Sequence, residues 1–188
     1  SILTQILSIS LIEVRVAVGE KTFTLKLSRT FCIGISANGP DSPIAALLIN
    51  TFNLDVCHSN FSGYIQNLHK ADYGVGWLWD KIQSDPVLAN DTIMICMPEH
   101  GRNATPNSIV DSNGLRAYDH TSDQNSREIF SLIVGPPSVV KQNITFGTPA
   151  SPVGESVDIV PTIANILGFD SSIPSGMLPG RVLTEAFI

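Results

Sequence analysis

Apolar and polar residues alternate along Ile12-Glu13-Val14-Arg15-Val16 and again along Thr22-Phe23-Thr24-Leu25-Lys26-Leu27, with Gly19-Glu20-Lys21 between. A period of two with a glycine-bearing break predicts a β-hairpin across Leu11 to Leu27. The run Pro43-Ile44-Ala45-Ala46-Leu47-Leu48-Ile49-Asn50 is apolar without alternation, which suits a buried strand, with a short helix as the alternative that periodicity leaves open. Between Phe61 and Gln83 the spacing widens to three and four: Tyr64, Leu68, Ala71, Val75, Leu78 and Ile82 share one face of a long amphipathic helix, which Pro86 stops. Thr92 to Met97 is a second continuous apolar run, closed by Pro98, and Ile129 to Val134 a third, closed by Gly135-Pro136-Pro137. Val157 to Gly168 reads as a short helix, with Pro161 in its first turn and Gly168 at the left-handed position just past its end.

The strand, helix, strand order from Pro43 to Met97 is that of a βαβ unit, so the expected class is α/β, with a mostly parallel sheet flanked by helices. Residues 101–123 are rich in Asn, Ser, Asp and Gly and lack periodicity; a loop of that length directly after a strand is usually functional. At 188 residues, 43% hydrophobic and 15% charged, the chain suits one globular domain over 1–188. A net charge of −6 without a Lys/Arg cluster excludes a nucleic-acid-binding surface and a basic membrane patch. No apolar run approaches the roughly 20 residues that a membrane span needs. Cys32, Cys57 and Cys96 are odd in number and widely spaced, unlike a disulfide framework or a four-cysteine zinc site. Glycosylation tripeptides begin at Asn60, Asn90, Asn103 and Asn143, and signal use only in a eukaryotic secretory context. Ser1 to Ile12 has neither a start methionine nor a cationic leader region, so the chain is expected to be a fragment or a processed product.

In open α/β sheets, ligands bind beyond the carboxyl ends of the strands. Asp55-Val56-Cys57-His58 follows the first buried run, Glu99-His100 follows the second, and Tyr118-Asp119-His120-Thr121 lies in the long loop. Each pairs a carboxylate with an imidazole, donors that suit zinc and similar divalent ions, and three of the four histidines are used in this way. The fourth, His69, falls mid-helix beside Lys70 and reads as solvated or packed. Arg102 is a candidate bidentate donor to a substrate oxyanion, with an ordinary surface arginine as the alternative. Asp119, Asp123 and Arg127 stand close enough in sequence to orient the His120 ring. Asp72 reads as a structural hydrogen-bonding group, and Trp77 and Trp79 as packing residues of the long helix.

The stretch Asn90 to Gly101, ending Met97-Pro98-Glu99-His100-Gly101, resembles the strand and "DHG" turn of the alkaline phosphatase, sulfatase and nucleotide pyrophosphatase superfamily. Ala71-Asp72-Tyr73-Gly74-Val75-Gly76-Trp77-Leu78 is similar to its "D..vG.lL" helix, Asp158-Ile159-Val160-Pro161-Thr162 to its "DIaPT" ending, and Gly176 to Leu183 to its "G..l.GrvL" tail. The resemblance covers 43–183 and rests on the order of several weak motifs; 1–42 is poorly matched. It implies an alkaline-phosphatase-like fold, here incomplete, and a two-metal site that hydrolyses phosphate mono- or diesters or, in the sulfatase branch, sulfate esters. One metal site would then hold Asp55, His58 and His120, and the other Glu99 and His100 with ligands from elsewhere. Zinc is the expected ion, with manganese or calcium as alternatives, and a periplasmic or extracellular location is implied by the resemblance alone.

Two departures qualify that expectation. Glu99 stands where the family has Asp, and its extra methylene shifts the carboxylate by about an ångström, enough to alter a site with bonds near 2 Å. The family's first metal-binding Asp and its nucleophile have no equivalent in Ser1 to Asn50; Thr30 and Cys32 match by type only, because no Asp-bearing strand precedes them. The nucleophile is thus expected outside this chain, and the missing strands would leave an exposed sheet edge open to self-association. A catalytically silent metal-binding or interaction module is the alternative reading, and a metal-free α/β binding domain the third.

Overall fold

The computed structural model describes the backbone of four N-terminal strands and, in full, residues 58–121 and 123–188. The strands are β1 (Ile12–Val18), β2 (Lys21–Leu27), β3 (Phe31–Ser36) and β4 (Ala45–Ile49). They are followed by α1 (Phe61–Ser84), the short α2 (Leu88–Asp91), β5 (Thr92–Met97), α3 (Gln124–Arg127), β6 (Leu132–Val134) and α4 (Ile159–Ile166). β1 and β2 pair antiparallel with Val18 opposite Lys21, the hairpin that the alternation predicts.

The other strands form a sheet in the order β4-β3-β5-β6 in which every ladder is antiparallel. The strand, helix, strand pattern predicts parallel neighbours. β4 and β5 do run in the same direction, but β3 lies between them and opposes both, with Cys32 level with Ile49 on one side and Cys96 on the other. Periodicity passes over β3 because it is only six residues long and carries Gly34, a residue that weakens a strand pattern. The carboxyl ends of β4 and β5 therefore emerge on one edge of the sheet.

β5 holds the centre. Ile93 and Ile95 are buried against Val140 and Ile159, with Ile133, Ile163, Ile166, Leu183 and Phe187 packed around them. Thr92 and Met94, one residue out of phase, point to the opposite face and are buried as well. Burial on both faces is why this strand reads as a continuous apolar run. α1 begins at Asn60, whose side chain accepts from the Gly63 N–H at 2.9 Å, and ends at Asp85 ahead of Pro86. The helix is about 36 Å long, yet Ile82 is its one fully buried residue. His69 and Asp72 are exposed on it, and Trp79 is half-buried. Trp77 lies nearer the surface, with the Lys81 ammonium 5.7 Å from its ring centre. No helix among the described residues is long and apolar enough to cross a membrane.

The motif Asp158 to Thr162 acts as a clamp on the chain end. Asp158 is buried, and its carboxylate accepts from the N–H groups of Glu155 and Arg181, each at 2.8 Å. The Thr162 hydroxyl donates to the Asp158 carbonyl and accepts from the Leu183 N–H at 2.9 Å. Gly180, with φ of +100°, is required there, since a Cβ would lie 2.7 Å from the Val157 carbonyl oxygen and 2.8 Å from an Asp158 carboxylate oxygen. Gly168, φ +71°, ends α4 in the left-handed conformation that its position predicts.

Arg181 then forks onto Glu185, with Nη1 donating to Oε2 at 2.9 Å, and this pair holds the Glu185 carboxyl at about 2 against an ordinary 4.5. A depressed carboxyl pKa stabilises the fold fully above pH 4.5, and that contribution is lost as pH falls from 4.5 towards 2. Glu185→Gln is expected to flatten the acid limb of a stability-versus-pH curve in that window and to leave its neutral limb parallel to wild type. Thr162→Val, which strands the Leu183 N–H, is expected to lower unfolding stability in urea by about 1–3 kcal/mol.

Candidate metal centre

The two same-direction strands deliver their following loops to one edge of the sheet, and the long loop returns there. His58 immediately precedes the turn into α1, and His100 follows β5 after Pro98-Glu99. Residues 101–123, read from sequence as an irregular loop, fold back on themselves as an antiparallel excursion. Its rungs run from Asn103 N–H to the Asp119 carbonyl at 3.0 Å, through Asn107 N–H to Ala117 at 2.9 Å, to Asp111 N–H with Leu115 at 2.9 Å. Gly114, with φ of +78°, turns the tip. The first rung sets His100 beside His120 across twenty positions of sequence.

Two further bonds tie His58 to them. Its carbonyl accepts from the Tyr118 N–H at 2.7 Å and from Arg102 Nη2 at 3.2 Å. Next to it, the Ser59 hydroxyl donates to Asp111 at 2.6 Å; this bond first, and then the Leu115 N–H, lower the Asp111 pKa. Asp123 is likewise lowered, by the N–H groups of Asn125 and Ala104. Both carboxylates are thereby committed to holding the loop.

The three histidines converge. Ring centres are 3.9 Å apart for His100 and His120, 5.6 Å for His58 and His120, and 5.9 Å for His58 and His100, the last pair stacked. Each can offer a nitrogen within 4.8 Å of the other two. Ligand atoms on a tetrahedral zinc with bonds near 2.05 Å stand roughly 3.3 Å apart, so side-chain rotation has to close at most about 1.5 Å. The donor chemistry fits as well. His100 Nδ1 faces the Gly101 carbonyl oxygen, which can only accept, so a neutral ring carries its proton on Nδ1 and has Nε2 to offer a metal. A Glu99 carboxylate oxygen lies 3.5 Å from that nitrogen. Imidazole nitrogens suit zinc or manganese better than calcium, which prefers oxygen.

Among the described residues, the histidines of the two ligand sets implied by the family resemblance lie in one cluster: His100 lies against His120, and Glu99, 74% exposed, stands at the rim. Asp55 lies outside the described residues. Arg102 has its guanidinium 4.8 Å from the Tyr64 ring centre, 5.1 Å from Tyr118 and 5.6 Å from Phe61. Held over three rings, the five-donor fork has a fixed direction. Arg127 donates to Gln124 within α3, away from the role of orienting His120. Asp119 does lie beside the His120 ring, with Oδ1 3.1 Å from its Nε2, and its contacts extend to His58, which sequence proximity does not reveal. No family model, curated protein or solved structure matches the chain.

Gly101 is the tightest point of the site. A Cβ there would sit 2.0 Å from the Asn125 carbonyl oxygen and 2.8 Å from that of Glu128, while Gly101 N–H donates to Ser126 at 2.9 Å. Gly101→Ala is expected to destabilise by about 1–3 kcal/mol in urea unfolding. Gly74→Ala, on α1 with nothing within 4 Å of its Cβ, is expected to stabilise slightly. Effects of the same sign at both positions would contradict the packing described.

Proposed function

We propose that this chain is the metal-binding part of a phosphate-ester hydrolase, acting on mono- or diesters, with His58, His100 and His120 as ligands of a divalent ion. The observation that carries the reading is the convergence of three imidazoles from three separate segments, each reaching the same sheet edge, with a carboxylate beside every ring. Zinc is the favoured ion. When bound, it supplies positive charge against phosphoryl oxygens. His100 holds its proton on Nδ1 and presents Nε2; Arg102, fixed over its three rings, presents N–H donors to an anionic substrate beside the cluster. The α/β class belongs to the same proposal, supported by the shared direction of β4 and β5 and by the helix between them in sequence, while the described ladders are antiparallel.

One observation favours the second reading, a metal-binding module without catalysis of its own. The hydroxyls flanking the histidines are already engaged: Ser59 donates to Asp111, and Thr121 accepts from Asn103 at 3.1 Å. In the hydrolase reading, the attacking group then comes from elsewhere in the assembled enzyme.

Elemental analysis of the purified chain is expected to find about one zinc or manganese per molecule, absent from a His58→Ala/His120→Ala double variant. His120→Ala alone is expected to weaken binding far more than His69→Ala, which removes an exposed ring from mid-helix. Equal effects, or no metal in wild type, would remove the basis for the proposal; the isolated chain is expected to show little or no turnover of an aryl phosphate, and robust metal-dependent turnover would overturn the placement of the attacking group outside it.

A further inference from the structure

We infer that Asp119 is itself a ligand of the ion and supplies the carboxylate shared with His58 and His120; this rests on the metal-binding reading above. Its Oδ1 lies 3.1 Å from His120 Nε2 and 3.6 Å from His58 Nε2. Those separations bracket the roughly 3.3 Å between ligand atoms on a tetrahedral ion with bonds near 2.05 Å. The same carboxylate oxygen thus stands within 3.6 Å of the Nε2 atoms of two of the three converging imidazoles.

The backbone holds Asp119 in place from both sides. The preceding residue bonds to His58 through Tyr118 N–H, the Asp119 carbonyl accepts from Asn103, and Oδ1 accepts from the His120 N–H at 2.8 Å. The side chain is 20% exposed, against 74% for Glu99, so of the two carboxylates at the cluster it is the one whose position the fold fixes. Charge argues in the same direction. Three neutral imidazoles leave a divalent ion with both its charges uncompensated in a partly desolvated site, and one carboxylate halves that excess. Asp119 with His58, His100 and His120 on one ion is a mixed nitrogen and oxygen set suited to zinc.

The test is cobalt(II) titration of the full chain, followed by absorption spectroscopy. Asp119→Cys is expected to produce a thiolate-to-cobalt charge-transfer band in the near ultraviolet, and Asp123→Cys, four residues on and engaged with Ala104 and Asn125, is expected to produce none. Asp119→Asn, close in size to the native residue, is expected to lower cobalt affinity by more than the roughly 10- to 100-fold typical of a residue that only supports a ligand. It is also expected to change the visible d–d envelope. Wild type that binds no cobalt would defeat the metal reading and this inference together. Wild type that binds, beside an Asp119→Asn variant with the same affinity and an unchanged envelope, would defeat the Asp119 assignment alone. A cobalt-loaded Asp119→Cys variant without the band would do the same.

Discussion

The His58 carbonyl oxygen is the joint on which the rest of the candidate site depends. It accepts from Tyr118 N–H and from Arg102, and these two residues belong to opposite limbs of the long excursion. One acceptor atom thereby binds the segment before α1 to both the outgoing and the returning chain. The histidines need that joint because none belongs to a regular element: each sits in a connection, where side chains are positioned only as well as the backbone hydrogen bonds around them. Arg102 adds to it by setting its guanidinium among three aromatic faces, 4.8 to 5.6 Å from their ring centres.

Much of this was legible in the chain. The continuous run Thr92 to Met97 predicts a strand buried on both faces, and β5 occupies those residues; the three-and-four spacing from Phe61 predicts α1 to within a residue of its end. The histidines could be named because strand ends are where α/β proteins bind ligands. β3 could not, since a six-residue strand with a central glycine carries too little periodicity. The order of the sheet depends on that strand, so the antiparallel ladders were equally hidden. The folding-back of 101–123 was hidden for another reason: its rungs are backbone bonds, and backbone bonding leaves no trace in side-chain pattern. Asp119 illustrates the limit, because its neighbour His120 is visible in sequence whereas His58, sixty-one positions earlier, is not.

The segment Asp158 to Thr162 carries a lesson about motifs. Its aspartate, proline and threonine invite a search for chemistry, yet in the structure the aspartate and threonine bind main-chain N–H groups of the terminal stretch. Gly180 completes the fit by letting the tail approach the start of α4 closely. The buried carboxyl group is tolerated because an N–H donor faces each of its two oxygens, which is the condition for placing a polar group inside a protein. A short polar motif of this kind records a packing agreement between two distant parts of the chain.

The excursion between Asn103 and Asp119 has one more consequence. Its rungs close beneath the tip, and the Asp111 carboxylate, accepting from Ser59 and from the Leu115 N–H, anchors both limbs just below Gly114. Chain added there would enlarge only a loop whose closure entropy grows with the logarithm of its length, about 0.6 kcal/mol per doubling. The tip is thus a place where evolution or an engineer can graft new recognition surface above the cluster while the coordinating frame stays as it is.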